Sequence, residues 1–71
     1  MAKARIRRVL ARNVRRLREA KGLSQGALAA DAGIYQELVS RIENGAANPE
    51  LDTLGRIADA LSAHPRDLFE E

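Results

Sequence analysis

Apolar residues along the 71-residue chain recur every three or four positions and nowhere alternate, which predicts helices throughout and no strand. Ile6, Val9, Leu10, Val14 and Leu17 step down one side of a first helix, expected from about Ala4 to Lys21, with Gly22 in position to close it. Ser24 has the side-chain oxygen to cap a second helix, about Gln25 to Asp31, which turns Leu28 and Ala29 inward before Gly33 breaks it. A third helix, about Gln36 to Asn44, buries Leu38, Val39 and Ile42 on one side and stops at Gly45. After Asn48-Pro49 the pattern resumes from about Leu51 to Ser62, with Leu51, Leu54, Ile57, Ala58 and Leu61 at helical spacing. His64-Pro65 then opens a fifth helix, with Pro65 in its first turn and Asp67 near its positive end, and Leu68 and Phe69 close the core. The expected fold is all-α, five short helices forming one domain over residues 1–71.

Charge makes this bundle strongly polarised. Up to Gly22 there are nine cations (Lys3, Arg5, Arg7, Arg8, Arg12, Arg15, Arg16, Arg18 and Lys21) against Glu19 alone, a net +8. The remainder holds three arginines against nine carboxylates, a net −6, so the overall +2 conceals the division. On the first helix Arg8, Arg12 and Arg15 lie opposite the apolar stripe, while Arg7 and Arg18 take one flank and Arg5 and Arg16 the other. A molecule basic at one end, over about 1–22, turns that end towards a polyanion and holds the other away. Charge alone is equally compatible with a solvated basic helix.

Composition removes other functions. Without cysteine, and with His64 as the lone histidine, there is no thiolate or histidine metal centre to build, so neither a metal nor a cofactor is expected. His64 reads as a helix-start residue, and the absence of a Gly-rich phosphate loop adds to the case against an enzyme. A cationic amphipathic helix for anionic membranes would carry Trp or Phe on its apolar face, whereas here that face is Ile, Val and Leu and is needed by the bundle. Met1 to Arg8 is charged where a secretion signal would be apolar, which points to the cytoplasm and to no membrane partner. A domain of this size buries only about 60% of its unfolded surface, so its core is thin and its stability is expected to be modest or borrowed from a partner.

The second and third helices carry the chemistry. Ala29 is small where two helices must cross closely, Gly33 permits positive φ in a tight turn, and Val39 and Ile42 anchor the third helix. Gln36, Glu37, Ser40, Arg41 and Asn44 are thereby forced outward, and these are groups able to pair with base edges. Ordinary bundle packing explains the apolar spacing equally well, but not the words around it. Leu17-Arg18, Gly22-Leu23-Ser24-Gln25, Leu28-Ala29, Gly33-Ile34, Val39-Ser40-Arg41-Ile42-Glu43-Asn44-Gly45, Asn48-Pro49-Glu50-Leu51, Ile57-Ala58, Ala60-Leu61 and His64-Pro65-Arg66-Asp67-Leu68-Phe69 occur in that order. Over roughly Arg12 to Phe69 the chain resembles the helix-turn-helix family of phage repressor and Cro proteins.

The resemblance implies a helix-turn-helix at about 25–44, a third helix lying in the major groove of double-stranded DNA, and transcriptional regulation, with repression as the expected direction. Carried over position by position, Gln36, Glu37 and Arg41 are base readers, with Ser40 beside them. Gln25 and Asn44 match phosphate contacts, and Arg18 and Glu43 match a pair joining the first helix to the third. Arg12 and Arg15 are added as phosphate contacts from the charge pattern. Tyr35 stands where Ser or Thr usually caps the third helix; the missing cap costs about 1 kcal/mol, and its hydroxyl is assigned to a phosphate instead. Gly26 costs roughly 1 kcal/mol against Ala in a helix. Ala46 and Ala47 fill a loop that is often basic. Glu37 needs a cytosine amine or a cation near it, and Arg41 one turn later can supply the cation.

A single reading helix covers few base pairs, so a homodimer is expected, meeting half-sites about 34 to 36 Å apart through the end formed by the fourth and fifth helices. Members of such a family also bind proteins, as antitoxins do, and a protein partner is the alternative reading.

Overall fold

A computed structural model describes every residue from Met1 to Glu71. Four α-helices follow in order, α1 (Ala2–Ala20), α2 (Gln25–Ala32), α3 (Gln36–Glu43) and α4 (Leu51–Ala60), and a 3-10 turn spans Pro65–Phe69. The fifth helix expected from the sequence is thus corrected to a 3-10 turn. Asp67 N–H reaches back only three residues, to the His64 carbonyl at 2.8 Å, and a five-residue stretch favours this tighter pitch. His64 does start it: its Nδ1 accepts from Arg66 N–H at 3.1 Å, while the Asp67 carboxylate accepts from His64 N–H at 2.9 Å. These two reciprocal bonds satisfy donors that the turn would otherwise leave open.

Capping fixes the other boundaries. Ser24 Oγ accepts from Ala27 N–H at 3.0 Å at the start of α2. Gly33, at φ +69°, ends α2 with bonds from Ile34 N–H to Ala29 O at 3.0 Å and from Gly33 N–H to Ala30 O at 3.3 Å. This double closure turns the chain within three residues towards α3. The same closure ends α4, with Ala63 N–H on Ala58 O at 2.9 Å, but there Ser62 takes the left-handed place at φ +54°. A side chain bearing Cβ is strained in that region.

The helices pack α1 on α3 and the 3-10 turn, and α2 on α3 and α4. Leu10 and Val14 of α1, Leu28 of α2, Val39 and Ile42 of α3, Ile57 and Leu61 of α4, and Leu68 of the turn form one buried cluster. Small residues, Ala29, Ala32 and Ala58, sit within it and let the backbones approach. Ala47 is also buried, so the loop where Ala46 and Ala47 replace the more usual basic residues supplies a core residue.

Four apolar positions depart from the pattern. Leu51 is 82% exposed because it opens α4 at the flank of the apolar stripe and overhangs the core. Ile6 is exposed towards the start of α1, Phe69 is 37% exposed beside it, and Leu38 is half-buried. Only Leu68, of the two residues expected to close the core, is fully enclosed.

Candidate nucleic-acid interface

α3 divides cleanly between its two sides. Val39, Ile42 and Glu43 are buried, and Gln36, Glu37, Arg41 and Asn44 are exposed, with Ser40 half-buried among them. The periodicity that packs Val39 and Ile42 against α2 therefore presents the expected base readers together on one surface. Tyr35 precedes them as N-cap; its side chain makes no capping bond and is 86% exposed, so the helix begins on its backbone carbonyl alone.

Gly26 has a local reason in this geometry. A Cβ at that position would stand 3.0 Å from Gln36 Oε1, so the missing side chain makes room for the Gln36 amide. The helix penalty noted at Gly26 thus accompanies space that the Gln36 side chain occupies.

Arg41 does not pair with Glu37. Its Nη2 donates to the Ala46 carbonyl at 3.2 Å, folding the guanidinium towards the loop after α3, and Glu37 forms no ion pair. The carbonyl outcompetes the carboxylate because an exposed ion pair one turn apart is worth only about 0.2–0.5 kcal/mol.

One carboxylate holds α3 in place. The Glu43 side chain is fully enclosed, and Arg18 meets it with two nitrogens, Nε to Oε2 at 2.7 Å and Nη2 to Oε1 at 3.0 Å. Arg18 Nη1 donates onward to the Leu23 carbonyl at 2.8 Å, which locks the guanidinium plane. Gln25 Nε2 adds a bond to Oε1 at 3.1 Å and Arg15 Nε another at 3.3 Å. Burial pushes the Glu43 carboxyl up, but the bonds from Arg18, Gln25 and Arg15 outweigh it and hold the group below the usual carboxylate range. The Arg18 guanidinium is raised by the same bond. Both residues of the pair expected from the sequence are therefore brought together, and Gln25 and Arg15, expected at phosphates, join them on one acceptor.

Asn13 was passed over by sequence reasoning. It is buried on α1, and its Nδ2 donates to the carbonyls of Leu68 at 3.0 Å and Glu70 at 2.8 Å, pinning the segment after α4 to α1. Its place on the apolar stripe, between Leu10 and Leu17, was the available signal. Glu70 and Glu71 lie along the same helix: Arg12 Nη2 donates to the Glu70 carbonyl at 3.0 Å, and Arg5 pairs with the Glu71 carboxylate. The basic segment is thus partly neutralised by Glu71 at Arg5 and by Glu70, 4.0 Å from Arg16.

No helix is long and apolar enough to cross a membrane. A capped α2, a tight glycine turn and a polar-faced α3 together define a DNA-binding regulator of the helix-turn-helix class.

Comparison with known proteins agrees. Residues 9–71 match the family described as helix-turn-helix domain, and the chain belongs to that family. It is 35% identical over 66 residues, 92% of this chain and 82% of the relative, to control protein C.BamHI of Bacillus amyloliquefaciens. It is 39% identical over 56 residues, 79% of this chain and 73% of the relative, to the HTH-type transcriptional regulator y4dJ of Sinorhizobium fredii. Among solved structures it is similar to the restriction-modification controller protein C.AhdI of Aeromonas hydrophila, with a TM-score of 0.86 and 38% identity. That likeness covers 89% of this chain and 96% of the other.

Proposed function

We propose that the protein binds double-stranded DNA sequence-specifically with α3 in the major groove and represses transcription from the site it occupies. The observation that carries this is the outward row of exposed Gln36, Glu37 and Arg41, with half-buried Ser40 among them, on a helix whose opposite side is fully committed to the core and to Arg18. Arg41 is the strongest reader, because its forked donors match N7 and O6 of guanine, and Gln36 reads adenine. Tyr35 and Asn44 at the two ends of α3, Gln25 at the start of α2, and Arg12 and Arg15 on α1 contact phosphates. Gln25 and Arg15 do so with donors not used on Glu43. Occupying a groove suffices to block another protein, so repression needs no further contact. The controller relatives favour a restriction-modification gene as the regulated target. A regulator of this kind works where the DNA is, in the cytoplasm.

The protein acts as a homodimer, since one α3 reads too few base pairs for a useful site. Ile6, Leu54 and Phe69 border an open cleft of about 190 Å3 between the start of α1 and the 3-10 turn, where a second copy can bury exposed apolar surface.

Selection of bound sequences from a random duplex pool tests all of this. The expected product is a pseudo-palindrome with half-sites one helical turn apart, bound far more tightly than a scrambled duplex and weakening steeply with salt. Equal affinity for scrambled DNA, or a flat salt titration, would refute sequence-specific binding, and one protein per selected site would refute the dimer.

A further inference from the structure

Four arginines of α1 surround an open hollow beside the end of the reading helix. Arg8, Arg12, Arg15 and Arg16 form one wall, and Asn44 and Gly45, just past α3, form the other. Of the two carboxylates at its edge, Glu43 is already saturated by Arg18, Gln25 and Arg15. Glu19 lies at the rim with its oxygen 4.0 Å from Arg18. The hollow therefore has an excess of cations: its four arginines face Glu19 at the rim, a Glu43 already paired, and Glu70, whose Oε1 lies 4.0 Å from Arg16 Nη2.

Three of the four arginines are also held in place. Arg12 spends one nitrogen on the Glu70 carbonyl, Arg15 one on Glu43, and Arg16 one on Asn13 Oδ1 at 3.1 Å, where Asn13 is itself buried and anchored. Each keeps further N–H groups for an outside acceptor, since a guanidinium offers five. Arg8 forms no hydrogen bond or ion pair at all, so nothing in the fold accounts for it.

We propose that Arg8 and Arg16 extend the contacts of Arg12 and Arg15 into one anion site that takes the phosphodiester backbone of duplex DNA, at the phosphates next to those met by Asn44, with Arg8 as its uncommitted member. It rests on the reading that α3 enters the major groove, and it extends that interface along α1. From Arg8 to Arg16 the helix advances about 12 Å, at roughly 1.5 Å per residue. One strand of duplex offers a phosphate about every 3.4 Å along its axis, so the row reaches about three of them. Such contacts fix register and add affinity without selecting bases.

The test compares the wild-type chain with Arg8→Gln on a selected duplex, by salt titration and by ethylation of individual phosphates. Arg56→Gln, an exposed cation on α4, controls for the loss of one charge at large. Losing one phosphate contact should make log K less steep in log salt by about 0.9, which shrinks the fall in affinity between about 50 and 200 mM salt by about 3-fold. Ethylating phosphates beside the Asn44 contact should weaken Arg8→Gln less than the wild type, while base preference and urea stability stay unchanged. Equal slopes for wild type and Arg8→Gln, or an equal change in Arg56→Gln, would overturn the anion site while leaving α3's role intact. A wild type with no preference for the selected duplex would remove both together.

Discussion

Truncating Glu43 should be the costliest polar change in the fold, because one carboxylate serves donors from α1 and α2 at once. In Glu43→Ala the Arg18 guanidinium, whose side chain is only 13% exposed, keeps the Leu23 carbonyl and loses both carboxylate bonds. Arg15 is half exposed and returns to water. The loss is therefore dominated by Arg18, and breaking such a pair from one side costs about 3 to 5 kcal/mol. A domain of this length has roughly 4 to 10 kcal/mol in total, so the variant is at or near the edge of folding. Arg18→Ala is gentler: Gln25 and Arg15 still donate to Oε1, and Oε2 alone is stranded, for about 2 to 3 kcal/mol. Arg15→Ala, at a longer and half-exposed bond, should cost under about 1 kcal/mol. Urea unfolding followed by circular dichroism gives the midpoints, with unchanged slopes confirming that stability alone moved. The double variant Arg18→Ala with Glu43→Ala should lose less than the two singles added, by about 1 to 3 kcal/mol. Strict additivity, or Arg15→Ala costing more than Arg18→Ala, would refute the clamp.

The pH dependence follows from the same group. The folded Glu43 carboxyl titrates below its unfolded value of about 4.3, so its contribution is present above that pH and is lost as pH falls through the folded pKa; an acid series of urea midpoints should fall more steeply in wild type than in Glu43→Gln. Ser62→Gly should stabilise by about 1 kcal/mol, raising Tm by roughly 4–8 °C, because it relieves a left-handed serine while losing only an exposed bond from Lys21. Gly26→Ala should gain up to about 1 kcal/mol of helix propensity yet push Gln36, altering preference at a single base position in a selection experiment; an unchanged selected sequence would detach Gln36 from readout. Arg41→Ala should lose about 1 to 3 kcal/mol on the specific duplex and little on a scrambled one, whereas an equal loss on both would make Arg41 a phosphate contact.

Helical periodicity revealed most of the fold, because each α-helix has to bury one stripe and ends at a residue able to turn left-handed. It failed where a residue's turn has no neighbour above it: Leu51 and Ile6 fit the spacing but sit at helix starts, beyond the reach of the core. The fifth element failed for a different reason, since apolar residues in a five-residue stretch do not distinguish i to i+3 from i to i+4 bonding. In the interface, the outward row on α3 and the Arg18–Glu43 link were legible from one helix's geometry and the resemblance. The convergence of Gln25 and Arg15 on Glu43, the return of Arg41 to Ala46, and the burial of Asn13 depend on where separate helices meet, which spacing within any single helix does not encode.

The polarity of the chain makes sense against the electrostatics of α3. Its C-terminal end carries the negative pole of the helix dipole and the Glu43 carboxylate, both unfavourable for the phosphate contact proposed at Asn44. Arg18 and Arg15 offset that carboxylate, and the surplus cations of α1 reverse the sign of the surface around it. At the other end Glu37 lies in the first turn, where the positive pole stabilises a carboxylate by a few tenths of a kcal/mol up to about 1, so it is tolerated without Arg41 as partner. A carboxylate held there repels every phosphate alike, and only a cytosine amine offsets the penalty. On the proposed reading Glu37 discriminates mainly by rejecting wrong sites, and the cationic α1 restores the affinity that this rejection costs. Glu37→Gln should accordingly bind scrambled duplex more tightly than wild type at the same salt concentration while narrowing the gap to the selected site. Weaker binding to scrambled duplex would show instead that Glu37 positions its neighbours rather than excluding sequences.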